Sequence, residues 1–313
     1  MEYRRLGRSG LWVSVVGLGT SGFGRRNMDF NESDRVIREA VDLGINLLDT
    51  ANSYGPAEEF IGRSMQEFRD KVVVATKVGF RLGDGPNEAG GSRQHLMQQV
   101  EASLRRLNTD YIDLYQLHFP DPQTPMEETL RTLDDLVRQG KVRYIGSSNF
   151  LAWQVAQAME ISQLLRLEAF VSIQPEYNML KREVEQELIP CCEAYGLGIL
   201  PYHPLDAGFL TGKYRRGQPP PEGTRLSFVP QIADSLLTER RFDVVEQLEE
   251  FATQRSRSIL ELAIAWLLAK PVVSSVIAGV SRVGQATENA KAAGWTLSSV
   301  EVRELDQIIE QVR

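Results

Sequence analysis

Val72-Val-Val-Ala-Thr-Lys77, Ile112-Asp-Leu-Tyr-Gln-Leu-His118 and Val142-Arg-Tyr-Ile-Gly-Ser-Ser148 share one pattern. Each is a short run rich in β-branched residues or leucine, without strict polar alternation, that closes on a polar side chain. Such runs suit strands of a parallel sheet covered on both faces, because each side of the pleat then needs apolar surface. Ser14–Gly17, Asn46–Asp49, Ala169–Gln174, Gly198–Tyr202 and Val273–Ile277 read the same way. Together these make eight strands.

Helical patterns fill the intervals. Val36, Ile37, Ala40 and Val41 recur at helical spacing after Asn31, and Gly44 stops the run. Thr124-Pro-Met-Glu127 predicts a capping box with proline at the first helical position; Leu130, Leu133 and Leu136 follow, and Gly140 ends the helix. Ser258-Ile-Leu-Glu261 and Ser298-Ser-Val-Glu301 predict two more boxes. The last opens a terminal amphipathic helix with Val302, Leu305, Ile308, Ile309 and Val312 facing inward. Strand–helix alternation of this kind predicts an α/β chain closed as a (β/α)8 TIM barrel. At about 150 residues per domain the length suggests two domains, yet a barrel of about 200 to 400 residues is one. Residues 1–313 therefore read as a single barrel domain. Tyr3–Leu6 and Leu11–Val13 around Gly7-Arg-Ser-Gly10 predict an added N-terminal hairpin closing the floor. The segment from His203 to about Arg240, with Pro219, Pro220 and Pro221, is too long for a plain connection and reads as functional or mobile.

Composition narrows the function. With 42% hydrophobic and 25% charged residues the chain is no disordered polymer, and its 25 Gly and 14 Pro show no period. Lys and Arg number 35 against 42 Asp and Glu, a net charge of −7, so nucleic acid is not an expected partner. No apolar leader opens the chain and no run of about eighteen apolar residues occurs; Ile259–Ala269 comes nearest and is broken by Glu261. Adjacent Cys191 and Cys192 read as reduced thiols. A cytoplasmic protein without membrane contact is expected. Oligomeric state leaves no mark in this pattern.

Gly17-Leu-Gly19-Thr20-Ser-Gly22 matches the dinucleotide fingerprint G-x-G-x-x-G literally. That motif needs a helix opening at the turn, and Phe23-Gly-Arg-Arg-Asn-Met-Asp-Phe30 has no apolar periodicity. A close backbone approach at a strand end is the better reading, and in a barrel Gly19 and Thr20 could there meet a cofactor.

In a (β/α)8 barrel the site lies at the C-terminal strand ends. Those ends read Asp49, Lys77, His118, Ser148-Asn149, Gln174 and Tyr202, with Tyr54 five residues beyond Asp49. Each has a plainer use: aspartate caps helices, lysine snorkels outward, and a lone histidine is more often a hydrogen-bonded core residue. Lys77 resists that reading. It ends a run that should be buried, so its ammonium needs a partner, and Asp49 on the next strand can be one. A buried cation beside Tyr54 would lower the phenol from its usual pKa of about 10. A tyrosine so tuned, with His118 donating a second hydrogen bond, is a proton donor for a developing alkoxide. The set suits reduction of a carbonyl. It lacks the Cys/His cluster of a zinc site, so no metal is expected, and it lacks a nucleophile elbow.

Leu48-Asp-Thr-Ala-Asn-Ser-Tyr-Gly55 with Glu58, Ala75-Thr-Lys77, Tyr115-Gln-Leu-His118, Gly140-Lys-Val-Arg-Tyr-Ile-Gly146 with Ser148-Asn-Phe150, and Gln174-Pro-Glu-Tyr-Asn178 follow one another in order. Pro204-Leu205 with Gly208, Leu210, Thr211, Gly212 and Lys213 continues the series. In these motifs, almost end to end, the sequence resembles the aldo-keto reductase family. The resemblance implies Tyr54 as the general acid in reduction, Lys77 and Asp49 as its tuning pair, and His118 orienting the carbonyl. It implies that Ser148, Asn149 and Gln174 hold a nicotinamide carboxamide with Tyr202 stacked on the ring. Pro204, Leu205, Gly208, Leu210 and Lys213 would lie over the pyrophosphate. Ser281 and Arg282, at a strand end leading into a helix, would take the 2′-phosphate of NADP(H), with Gln285, Glu288 and Asn289 near adenine. Gly279 stands in the same stretch where some members place a basic residue, which leaves NAD(H) as the weaker alternative. Asn52, His203 and Phe119 also depart from common family choices and bear on specificity.

The implied activity is NADP-dependent reduction of a small aldehyde or ketone. Two alternatives accompany it: a regulatory NADP-binding subunit of the kind that accompanies channels, and a sugar dehydrogenase working in the oxidative direction. Phe23, Arg25, Phe80, Phe119 and Phe228 sit in loops that either line a substrate pocket or simply pack.

Overall fold

The hairpin comes first in the chain and last in the logic of the barrel. Tyr3–Arg5 (β1) and Trp12–Ser14 (β2) pair antiparallel, with Tyr3 opposite Ser14. Gly7 makes the turn at φ +58°, and a Cβ there would stand 2.6 Å from the carbonyl oxygens of Val171 and Gly196. Leu6 and Val13 are fully buried and form one apolar cluster with Leu47, Val73, Ala75, Leu114, Leu200 and Ile277. These side chains come from four barrel strands and from Leu200, just past a fifth, so the hairpin plugs the end of the barrel opposite the polar strand termini.

A computed structural model describes residues 1–25 and 28–310. Its large sheet runs through Val16–Gly19 (β3), Leu47–Asp49 (β4), Val73–Val78 (β5), Ile112–Leu117 (β6), Val142–Ser148 (β7), Phe170–Gln174 (β8), Gly198–Ile199 (β9) and Val276–Gly279 (β10). All neighbours are parallel, in the order β10-β3-β4-β5-β6-β7-β8-β9. Backbone bonds close the ring: Ile199 N donates to Val272 O at 2.9 Å, Ser274 N to Ile199 O at 2.9 Å, and Ile277 N to Pro201 O at 2.9 Å. The fold is the expected (β/α)8 barrel.

Most strand limits fall within one residue of expectation, and the three larger differences share one reason. Ser14 belongs to the hairpin, so the first barrel strand begins at Val16. Val273 bridges Ile199, whereas the ladder with β3 spans Val276–Gly279. Of Gly198–Tyr202 only the first two residues form a ladder, and Tyr202 bridges Glu176. A staggered barrel sets one extended segment against different neighbours at different heights, which a linear reading cannot anticipate.

Around the sheet lie Phe30–Asp42 (α1), Ala57–Ser64 (α2), Arg93–Leu107 (α3), Met126–Arg138 (α4), Ala152–Leu165 (α5), Leu188–Tyr195 (α6), Pro230–Leu236 (α7), Glu239–Thr253 (α8), Ile259–Leu268 (α9), Gln285–Ala292 (α10) and Ser299–Glu310 (α11). Val36, Ile37 and Ala40 bury the inner face of α1, and Gly44 follows at φ +82°. The boxes at Ser258/Glu261 and Ser298/Glu301 form as expected. The one at Thr124 does not. The Thr124 hydroxyl donates to Asp121 Oδ2 at 2.6 Å, Glu127 pairs with Arg131, and α4 begins after Pro125 with no side-chain cap. Asp121 already accepts from Gly91 N and Gln123 N, so it captures the hydroxyl that the helix would have used. On α11, Leu305 and Ile309 are buried while Val302 and Ile308 pack at the edge; Val312 lies outside the described residues. The His203–Arg240 segment carries short turns at Asp206–Thr211 and Arg225–Ser227, then α7 and the start of α8.

Candidate active site

Parallel register brings the strand ends together. Gly19 faces both Gly279 and Asp49, Lys77 faces Gln116, and Ser148 faces Gln174. Lys77 is 1% exposed, and its ammonium donates to Asp49 Oδ1 and Oδ2 at 2.7 Å each and to Thr50 O at 2.9 Å. Three donors and three acceptors meet, which is how a buried ammonium avoids an uncompensated desolvation cost. The Tyr54 ring lies 5.3 Å from that ammonium and edge-on to His118, with ring centroids 5.8 Å apart. The four residues singled out for chemistry therefore form one cluster at the barrel mouth.

Its electrostatics differ from expectation at one residue. Burial raises the Tyr54 phenol above its ordinary 10, and the opposing pull of Lys77 does not overcome it. Burial is the larger cause, and the Asp49 carboxylate, 2.7 Å from the ammonium, adds to it by offsetting part of the pull of Lys77. The phenol is thus fully protonated at neutral pH, the form an acid needs. Burial and the Lys77 charge together push His118 down to about 3, so the imidazole is neutral. Its Nδ1 is buried without a partner among the described residues. Aromatic contacts hold the ring instead: Phe119 stacks on it at 4.9 Å and 12°, and Phe80 sits 5.8 Å away.

A second polar group adjoins the first. Ser148 Oγ donates to Gln174 O at 2.8 Å, and Asn149 Nδ2 donates to Ser148 Oγ at 3.1 Å and His118 O at 3.0 Å. Tyr202 donates its hydroxyl to Asn149 Oδ1 at 2.8 Å. Asn149 sits at φ +61°, a conformation asparagine tolerates better than most residues. Gln174 Nε2 then reaches Asp49 Oδ2 at 2.8 Å and ties the two groups together. Thr20 donates both its N–H and hydroxyl to Asp49 O, fixing the Gly19–Thr20 turn against the same strand end. Hydroxyl, two carboxamides and a half-buried tyrosine face side by side match the donors and acceptors of a flat carboxamide-bearing ring.

The segment after Tyr202 is tied down by charge. His203, at φ +51°, contacts Glu176 Oε1 at 3.0 Å and Arg225 at 3.0 Å, and Lys181 also pairs with Glu176. These partners hold the Glu176 carboxyl down at about 2. Asp206, Ala207 and Gly208 all adopt positive φ, and Arg241 anchors Asp206. Consecutive left-handed residues store strain of the kind found at ligand clamps. Pro204 is buried here beside half-buried Leu205. Lys213 lies against Gly208, where a Cβ would meet its Nζ at 2.5 Å. Leu210 is different: its side chain is fully buried in the core and its N–H is spent on Leu205 O.

At the other end, Ser281 N donates to Gln285 Oε1 at 2.6 Å, and Arg282 pairs with Glu288 at 2.6 Å. Asn289 is buried on α10, and Gly279 is exposed with open space where a Cβ would lie. Two of the N–H groups at this helix start already have a partner within the chain. Glu39 of α1 takes those of Gly284 and Thr287.

Of the loop residues, Phe23 packs in the core, whereas Phe80, Phe119 and Phe228 are exposed, and Arg25 is exposed within electrostatic reach of Tyr54. Sequence reasoning passed over Glu176, Thr50 and Glu39. Glu176 lay inside a quoted motif; Glu39 looked like any charged residue on the outer face of a helix. Among the described residues no group of three or more His, Cys, Asp or Glu could hold a metal ion, and no helix is long and apolar enough to cross a membrane. Cys191 and Cys192 are free thiols.

The aldo/keto reductase family profile matches residues 15–310. The chain is 36% identical to L-glyceraldehyde 3-phosphate reductase of Escherichia coli O157:H7, covering 99% of this chain and 92% of that protein. It is 38% identical to a putative voltage-gated potassium channel subunit beta of Schizosaccharomyces pombe, over 99% and 93%. It is 34% identical to the aldo-keto reductase YhdN of Bacillus subtilis, over 99% and 94%. A barrel whose mouth joins a buried Lys–Asp pair, a tyrosine and a histidine thus carries the sequence of a known oxidoreductase family that generally binds NAD(P)H: the chain belongs to the aldo/keto reductase family.

Proposed function

We propose that the protein is an NADP-dependent reductase that converts a small-molecule aldehyde or ketone to an alcohol in the cytoplasm. One observation carries this reading: Gln174 Nε2 bonds Asp49 Oδ2 at 2.8 Å, so the proton-handling cluster and the amide-matching cluster are one built unit. Ser148, Asn149 and Gln174 hold the carboxamide of the nicotinamide, and Tyr202 offers its face to the ring. Gly19, Thr20, Pro204, Leu205, Gly208 and Lys213 flank the pyrophosphate, Leu210 supporting it from the core. Ser281, Arg282, Gln285, Glu288 and Asn289, beside Gly279, take the adenosine end. The bound nicotinamide supplies the hydride that reduces the carbonyl carbon.

The residues of the chain handle the proton. His118, neutral, orients the carbonyl oxygen by a hydrogen bond, and the Tyr54 phenol gives that oxygen its proton. Lys77 stabilises the phenolate left behind, and Asp49 holds Lys77 in place. In oxidation the phenolate takes the proton back. Tyr54→Phe tests the assignment: NADPH oxidation with an aldehyde panel falls about 10²- to 10⁴-fold while NADPH binding is kept. An active variant removes Tyr54 as the acid. A second reading, a regulatory NADP-binding subunit, draws on the similarity to proteins named as potassium channel β subunits. Tight NADPH binding without turnover of any aldehyde would favour it.

A further inference from the structure

The start of α10 is occupied by a carboxylate of the chain itself. Glu39 comes from α1, 245 residues away in sequence from Gly284. Its Oε2 accepts from Gly284 N at 2.9 Å; its Oε1 accepts from Thr287 N at 3.2 Å and from the Thr287 hydroxyl at 2.5 Å. Burial opposes the charge, but these hydrogen bonds and the nearby Arg282 outweigh it and keep the carboxyl below its ordinary range. Arg282 also pairs with Glu288 at 2.6 Å. Gly279, next to these groups, contributes no charge where a side chain would find open space. The guanidinium of Arg282 is therefore paired with Glu288 and lies within electrostatic reach of Glu39.

A helix start attracts anions through its free N–H groups and dipole. Here Glu39 takes two of those N–H groups and sets a negative charge against the dipole. An incoming 2′-phosphate meets a helix start that already faces a carboxylate and an arginine that already has a partner, Glu288. We propose that Glu39 is a specificity-determining residue of the adenosine end: its fixed charge lowers the preference for a 2′-phosphorylated dinucleotide, while its hydrogen bonds hold the turn in shape for either one. This rests on the reading that residues 279–289 take the adenosine.

The two effects separate experimentally. Shape acts equally on NADPH and NADH, which share the adenosine; charge acts only on the 2′-phosphate. The ratio of their dissociation constants, measured by fluorescence titration without substrate, isolates the charge. Glu39→Gln keeps an acceptor oxygen and removes the charge, and should raise Kd(NADH)/Kd(NADPH) about three- to tenfold, more at low salt than at high. Glu39→Asp keeps the charge and shortens the reach, and should weaken both dinucleotides with little change in ratio. An unchanged ratio in Glu39→Gln, while Arg282→Ala still lowers it, overturns this inference alone. If neither Arg282→Ala nor Glu39→Gln changes either affinity, the adenosine lies elsewhere and the underlying reading falls too.

Discussion

The two ends of the proposed dinucleotide site are built on opposite principles. At the mouth, Lys77 and Asp49 are nearly sealed from water, at 1% and 5% side-chain exposure, and every ammonium hydrogen has an acceptor. At the adenosine end, Arg282 and Glu288 are half-exposed, at 58% and 46%, in a pair that water and salt weaken. Burial makes the first arrangement rigid and costly to disturb. Exposure makes the second adjustable, so its preference rests on small differences in charge. Chemistry needs fixed positions within fractions of an ångström, whereas discrimination between two cofactors needs only a modest difference in affinity.

The sharpest way to break this contrast is to remove one partner of the buried pair. Lys77→Met leaves the Asp49 carboxylate buried and unpaired, and should cost about 3–5 kcal/mol in denaturant unfolding. The double variant Lys77→Met/Asp49→Asn should recover much of that loss. A single variant as stable as the parent would mean that water reaches Asp49.

His118 gives an intermediate effect. Its folded pKa of about 3 lies below the ordinary 6.5, so the unfolded chain binds a proton that the folded protein refuses. Above pH 6.5 this group leaves stability unchanged. As pH falls from 6.5 toward 3, stability should drop by about 1 kcal/mol per pH unit through this group alone. Subtracting the pH dependence of His118→Asn from that of the parent isolates the slope; parallel curves would place a charged imidazole in the fold. The smallest effect belongs to the exposed end. Arg282→Ala should weaken NADPH about tenfold and NADH little, and equal losses would mean no 2′-phosphate contact.

Tyr54 shows where pairwise reasoning stops. Lys77 beside a phenol lowers its pKa on paper, yet the shift runs upward because burial outweighs the ammonium's pull, part of which the Asp49 carboxylate offsets. That sum needs three residues from separate segments in one place. Glu39 is the stronger case, since no spacing or motif connects α1 to the start of α10. At Thr124, a correct local signal lost to Asp121, which was closer to the hydroxyl in space than the helix it was meant to cap.

The linear chain by itself determined the barrel, because eight buried parallel strands alternating with helices leave few other ways to cover both sheet faces. It determined the polar strand ends too, since register converts sequence position directly into height along the barrel. Tertiary structure decided what those ends do to each other. Hydrogen-bond choice, proton affinity and the sharing of charge depend on distances and solvent access that no single segment carries. That is why Asp49, Lys77, Tyr54 and His118 stood out in the linear chain, while the upward shift of the phenol and the occupied helix start did not.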